Sequence, residues 1–228
     1  MSERENILGR IREALKVEAH VPGTHGESKG PPTFDPAISS PRKWLPKVGA
    51  TMDEQLALFA KNAGDLKADF QLLKSEDEAR EAIAAMRDKE KWQRVAAHSG
   101  NLTNAICPAL NLPLLHTDKP YDVHALEASE AGISECDALI AQTGTVLVTN
   151  RSAGGRALSV LPPHHVVLAR REQLIADLPA AFELLKQKYA ANYPSMISFI
   201  TGPSRTGDIE RILVLGAHGP KKLTILCW

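Results

Sequence analysis

The strongest constraint on this fold is a helix start set between two short apolar runs. Ser75 followed by Glu78 has the spacing of a capping box, in which a hydroxyl and a carboxylate satisfy amides that the first turn of a helix leaves free. It predicts a helix reaching about Lys89. Phe70-Gln71-Leu72-Leu73 before it and Arg94-Val95-Ala96-Ala97 after it have the length and apolar character of strands. Strand, helix and strand in that order predict parallel strands joined by helices, with functional loops at the carboxyl ends of the strands. His98-Ser99-Gly100-Asn101 is expected in such a loop.

Thr51 and Glu54 repeat the capping pattern ahead of Met52, Leu56, Phe59 and Ala60, which share one helical face, and this helix is expected to open the compact domain. Residues 102–131 read as short helices and turns around Cys107-Pro108 and Lys119-Pro120. Further strands are expected at residues 137–141, 145–149, 166–169, 196–200, 212–215 and 223–227, with a helix from about Leu178 to Tyr189. Ser152-Ala153-Gly154-Gly155 reads as a turn or loop. At the amino terminus, Ser2 and Glu5 cap an amphipathic helix carrying Ile7, Leu8, Ile11 and Leu15. The segment 16–50 is rich in proline, glycine and serine and reads as an extended arm, with Trp44 and Leu45 as its apolar anchor. The expected organisation is a helix and arm over residues 1–50 and one α/β domain over residues 51–228.

Composition narrows the partners. Twenty-seven basic residues balance 27 acidic ones, so no overall field draws the chain to nucleic acid. The start, Met1-Ser2-Glu3-Arg4-Glu5-Asn6, is charged, and no apolar run has the length of a membrane span, so a cytoplasmic protein is expected. Cys107, Cys136 and Cys227 are odd in number and widely spaced, without a Cys-x-x-Cys pair. They are expected to be reduced and buried, with no disulfide framework, zinc site or iron–sulfur cluster, and no cofactor, within this chain.

Thr201-Gly202-Pro203-Ser204-Arg205-Thr206-Gly207-Asp208-Ile209-Glu210 lies between two apolar runs and holds the ingredients of an anion-binding or acid/base site. Ser204 and Thr206 offer hydroxyls. Arg205 offers a planar fork that fits a carboxylate or phosphate, and fits Asp208 or Glu210 equally well. Thr143-Gly144-Thr145 presents backbone amides and a hydroxyl to an anion, or serves only as a tight turn. His218, between Gly216 and Gly219, is either an acid/base group or a hydrogen-bonded structural residue.

Four segments occur in order: Gln142-Thr143-Gly144-Thr145; Arg156 with Leu158 and Leu161-Pro162-Pro163-His164-His165; the loop from Gly202 to Glu210; and Gly216-Ala217-His218-Gly219-Pro220. Together they resemble the lactate-utilisation (LUD) domain family, over nearly the whole chain and most strongly across residues 132–220. The resemblance implies an α/β fold like the NagB, ribose-phosphate isomerase and CoA-transferase group, with a central, largely parallel sheet and helices on both sides. It also implies an accessory, non-redox subunit of a bacterial system that oxidises L-lactate to pyruvate, with iron–sulfur clusters in the partner subunits.

The resemblance adds His165, at the position of the family's own histidine. The candidate ligand-binding set is then Thr143, Gly144, Thr145, His165, Ser204, Arg205, Thr206, Asp208 and Glu210, around a small anion, with no catalytic residue assigned. Gln142 stands where the family often carries an acidic residue; it cannot act as a carboxylate base and binds hard cations less well, so no metal site is expected there. The alternative is a stand-alone enzyme on an isomerase or CoA-transferase scaffold, using Glu210 or Asp208 with Arg205 on a small carboxylate or phosphate.

Overall fold

The computed structural model describes residues 46–206, 214–215 and 219–228, together with Glu13. The expected amino-terminal helix, nearly all of the arm, Asp208, Glu210 and His218 lie outside the described residues. All elements below belong to the unit Leu45–Trp228.

Thr51 starts the first helix, α1 (Met52–Asp65), with both halves of a capping box. Its hydroxyl accepts from the Glu54 amide at 3.2 Å, and the Glu54 carboxylate accepts from the Thr51 amide at 3.1 Å. After β1 (Asp69–Leu72), the Ser75 hydroxyl accepts from the Glu78 amide and starts α2 (Glu76–Glu90). Three acidic residues in the first turn of α2 and Arg87 and Lys89 in the last complement its dipole, and Lys91 ends it in the left-handed region at φ 57°.

The chain continues through β2 (Val95–Ala97), α3 (Asn101–Ile106), a 3-10 turn at Cys107–Leu110, β3 (Leu114–His116), α4 (Val123–Glu127) and β4 (Ala131–Glu135). Then come β5 (Ala138–Ile140), β6 (Thr145–Thr149), β7 (His164–Ala169), β8 (Leu174–Ile175), α5 (Leu178–Tyr189) and β9 (Ile197–Ile200). The last elements are β10 (Arg205–Thr206), β11 (Val214–Leu215) and β12 (Lys222–Cys227).

Six strands form a fully parallel sheet in the order β1-β12-β7-β4-β2-β3. The expected strand–helix–strand unit is present as β1, α2 and β2, but β12, β7 and β4 lie between its two strands. A second sheet of four strands, β8-β5-β6-β9, is antiparallel except where β5 meets β8, and β10 with β11 forms a short antiparallel ribbon.

Alternation along the central strands sorts the core into layers. Val166, Leu168, Ile133 and Leu226 face α2, α3 and the 3-10 turn. Val167, Ala169, Ile225 and Cys227 face the opposite way, against Leu56 and Phe59 of α1 and against the small sheet. The outer side of that sheet packs Ala138, Ile140 and Leu147 onto Ala181, Leu185 and Tyr189 of α5. The expected α/β class, with a central parallel sheet and helices on both sides, is therefore present. Each fully buried Leu or Ile in these layers contributes roughly 1.5–3 kcal/mol.

Four strands depart from the sequence reading, one of them β10, which lies inside the expected loop from Gly202 to Glu210. The segment 102–131 contains β3, and β4 starts at its end, in the middle of the sheet. Gly132, Ser134 and Glu135 give β4 a turn-like composition, yet Gly132 is required there. A Cβ on it would stand 2.5 Å from the Leu158 carbonyl oxygen, because the 158–162 segment crosses directly over it. The two-residue β8 exists only through its pairing with Leu139 and Ile140.

Candidate functional site

The turn Gln142-Thr143-Gly144 joins β5 to β6 and is held against α1. Asn62 donates through Nδ2 to the carbonyl oxygens of Ala141 at 3.0 Å and Gln142 at 2.9 Å. Gly144 has φ +62°, and a Cβ there would lie 2.4 Å from the Ala63 amide nitrogen. The Gln142 side chain donates to the Pro46 carbonyl at 3.0 Å. Thr143 Oγ1 is buried without a hydrogen-bond partner among the described residues, and Thr145 Oγ1 lies 2.9 Å from Thr201 Oγ1.

A cavity of about 180 Å³ opens where β7 and β12 begin and β9 ends. Ser159, Ser198, Thr201 and Ser204 bring hydroxyl-bearing side chains to it, and His165 brings an imidazole. Val160, Ile200, Pro203, Pro220 and Leu223 complete it with apolar surface. The Ser204 amide donates to the Pro220 carbonyl at 2.9 Å and closes the base of the loop between them. Gly202, at φ +84°, lets this loop turn against Leu66 of the α1 terminus, whose carbonyl oxygen would lie 2.7 Å from an added Cβ.

Of the expected set, His165 and Ser204 line the cavity together. Arg205 follows at once on β10, exposed, and Thr206 continues that strand. Thr143, Gly144 and Thr145 are not among its lining residues; Thr145 reaches it through Thr201.

Adjacent positions on β7 send His164 and His165 to opposite faces of the sheet. His165 is 1% exposed, with Nε2 2.8 Å from Ser134 Oγ and Nδ1 without a partner among the described residues. Burial, helped by the neighbouring His164, pushes its pKa down to about 3, so the ring is neutral. His164 contacts Thr224 Oγ1 at 2.9 Å and stands edge-on to Trp92; burial and Lys222 push it down to about 4.

Sequence reasoning missed two polar clusters. At the carboxyl ends of β2 and β4, Glu135 accepts from the Leu102 and Thr103 amides at 2.7 and 3.2 Å, and its own amide donates to His98 Nε2 at 3.2 Å. His98, Thr103, Cys107 and His116 border a second cavity of about 200 Å³ there. The only signal was His98-Ser99-Gly100-Asn101 after a strand, which names no partner. The second cluster centres on Asp137, whose carboxylate accepts from Lys188 Nζ, Tyr189 Oη and Ser152 Oγ, each at 2.6 Å.

All three thiols are free and buried. Burial raises the pKa of each, Cys107 to about 12 and Cys227 to about 11. Among the described residues, no group of three or more His, Cys, Asp or Glu side chains is placed to hold a metal ion, and no helix is long and apolar enough to cross a membrane.

A parallel sheet backed by a smaller, mostly antiparallel one, with a hydroxyl-lined cavity where their strand ends meet, defines a class of α/β domain. The LUD domain family matches residues 56–227, and the chain belongs to that family. Lactate utilization protein C of Anoxybacillus flavithermus is 36% identical over 105 residues, which cover 46% of this chain and 46% of that protein. The match thus spans about half the length of that relative. A protein of the same name from Geobacillus kaustophilus is 27% identical over 210 residues, covering 82% of this chain and 83% of its own. The crystal structure of a DUF162 family protein from Deinococcus radiodurans superposes with a TM-score of 0.62 at 21% identity, over 78% of this chain and 99% of that one. That likeness concerns the fold.

Proposed function

We propose that this chain serves lactate utilisation as a non-redox accessory subunit that holds a small anion, while iron–sulfur partner subunits oxidise L-lactate to pyruvate. The lactate role follows the names of its relatives. The observation that carries the ligand-binding part is the cavity lined by His165 and Ser204 at the root of the ribbon bearing Arg205. Its volume of about 180 Å³ has room for several waters or one short organic acid. Hydroxyls and a neutral imidazole can orient such a ligand, and an arginine that follows Ser204 in the chain can neutralise its charge.

The proposed ligand contacts are His165 and Ser204 in the cavity and Arg205 and Thr206 on the ribbon, with Asp208 and Glu210 retained from the sequence motif. Thr145 supports the wall through Thr201, and Thr143 and Gly144 belong to the turn that precedes it. The non-redox part is supported by the thiols: buried and kept protonated, Cys107, Cys136 and Cys227 are poor cluster ligands.

The test is a lactate-to-acceptor assay on the reconstituted system, with and without this chain, beside a pull-down of the iron–sulfur partner. Activity and association that both depend on the chain support the reading, and Arg205→Ala then lowers small-anion affinity. Independence of both sinks it.

A further inference from the structure

We propose that the cavity at the carboxyl ends of β2 and β3 is a second binding site, in which His116 Nε2 accepts a hydrogen bond from a hydroxyl of a small uncharged polyol. The inference is independent of the small-anion reading above and goes beyond it.

In open parallel sheets, ligands bind outside the carboxyl ends of the strands, where loops converge. His98 follows β2, His116 ends β3, and both line this cavity of about 200 Å³. His98 is committed, since its Nε2 accepts from the Glu135 amide at 3.2 Å. His116 is not. Its Nδ1 is buried 3.8 Å from Asp118 Oδ1 and has no hydrogen-bond partner among the described residues, while the side chain as a whole is 32% exposed. The open edge of the ring is therefore the one that carries Nε2.

Asp118 decides the tautomer. Hydrogen bonds from Ser99 hold its carboxyl below the ordinary value, so it is ionised at neutral pH and has no proton to offer. A lone pair on Nδ1 would be repelled by that charge, and an N–H is attracted. Nδ1 then carries the ring proton and Nε2 keeps its lone pair. Neighbours fix the arrangement: the Ser99 amide donates to Asp118 Oδ1 at 2.9 Å, the Thr117 amide to the Ala97 carbonyl at 2.9 Å, and Thr117 Oγ1 to the Gly154 carbonyl at 2.7 Å.

The surroundings choose the ligand class. No lysine or arginine lines the cavity, and Asp118 and Glu135 both act on its histidine His98, so an anion is disfavoured. A cation would leave water for Ala97, Cys107, Pro108 and Leu114, with neither carboxylate in the lining to pair with it. An uncharged ligand remains. The bare Nε2 calls for a donor, which a hydroxyl supplies, and the Asn104 amide can donate to or accept from a neighbouring hydroxyl. Glycerol is the probe.

The experiment uses the full chain labelled with ¹⁵N-histidine. Long-range ¹H–¹⁵N spectra at neutral pH are expected to show His116 protonated at Nδ1, with its Nε2 resonance moving as glycerol is added and staying put with acetate or methylamine. Diethyl pyrocarbonate acylates a bare imidazole nitrogen, and glycerol is expected to slow its reaction at His116, followed by peptide mass spectrometry. Sucrose, too large to enter, controls for the solvent. Asp118→Asn is expected to slow acylation up to about fivefold, the size of a half-exposed charge interaction. Asn104→Ala leaves the ring in place and is expected to weaken glycerol protection about fivefold, one net hydrogen bond.

An Nε2–H tautomer overturns the inference. So does sucrose protecting as well as glycerol, with water then the only occupant, or acetate or methylamine moving Nε2 as far as glycerol does. None of these outcomes touches the small-anion reading, which stands or falls on the lactate assay.

Discussion

Asn62 donates through Nδ2 to the carbonyl oxygen of Gln142 at 2.9 Å, across 80 residues of sequence. With the second bond to Ala141, this clamps the β5–β6 turn onto α1 and directs it toward the helix, beside the cavity wall that Thr201 provides. Gly144→Ala places a methyl group against the Ala63 backbone at positive φ, and is expected to destabilise the protein by roughly 1–3 kcal/mol. Asn62→Ala removes two partly buried bonds and is expected to cost about 1–3 kcal/mol. Urea unfolding of both variants, compared at constant m, measures this; midpoints equal to the parent's would show that the clamp carries no stability.

The Asp137 network is expected to hold the small sheet to α5. Burial alone would raise the Asp137 pKa, but hydrogen bonds from Lys188, Ser152 and Tyr189 outweigh it and the carboxyl sits below its ordinary value. Its folded pKa is depressed, so its stabilisation is complete above the unfolded value near 3.8 and is lost as pH falls through the folded one. Asp137→Asn is expected to cost roughly 2–3 kcal/mol at neutral pH, the low end for a charged cluster because Lys188 is half exposed. The difference from the parent should narrow below pH 4, a limit read from stability curves of both proteins.

The two histidines act in a higher window. His164 and His165 are depressed to about 4 and about 3, so the unfolded chain binds protons first as pH drops below about 6.5. Stability is complete above that pH and declines on acidification, by up to about 1.4 kcal/mol per pH unit for each ring. His164→Gln should flatten the slope between pH 6.5 and 4. Denaturant titrations across that range that leave the slope unchanged would contradict the neutral, buried assignment.

The thiols give a kinetic readout. Buried and raised in pKa, Cys107, Cys136 and Cys227 should resist a thiol reagent at pH 8 in the native protein. Three equivalents should react once the chain is unfolded in guanidinium. Fast labelling of any one in the native state would show that its element opens readily.

Local chemistry wrote much of the fold into the chain. The hydroxyls of Thr51 and Ser75, each three residues before a glutamate, mark helix starts because the groups that satisfy the first turn are contained within it. The apolar runs of β6, β7 and β12 are legible because strands inside a sheet are buried on both faces. Gly144 is legible as a turn because its backbone needs positive φ wherever the turn sits.

Tertiary structure alone decided the rest, because it depends on what meets across the fold. The central place of β4 follows from its parallel pairing with β2 on one side and β7 on the other, with Gly132 leaving room for the 158–162 segment, and no property of residues 131–135 announces either. The separation of two sheets was decided by pairing, with β5 and β6 joined to β8 and β9 and excluded from the parallel ladder. Ser159, His165, Ser198 and Ser204 belong to separate segments and form one cavity only where the starts of β7 and β12 meet the end of β9. The sequence alone determined which side chains can hydrogen-bond and where helices begin; the fold decided which of them face each other, as Ser134 and His165 do.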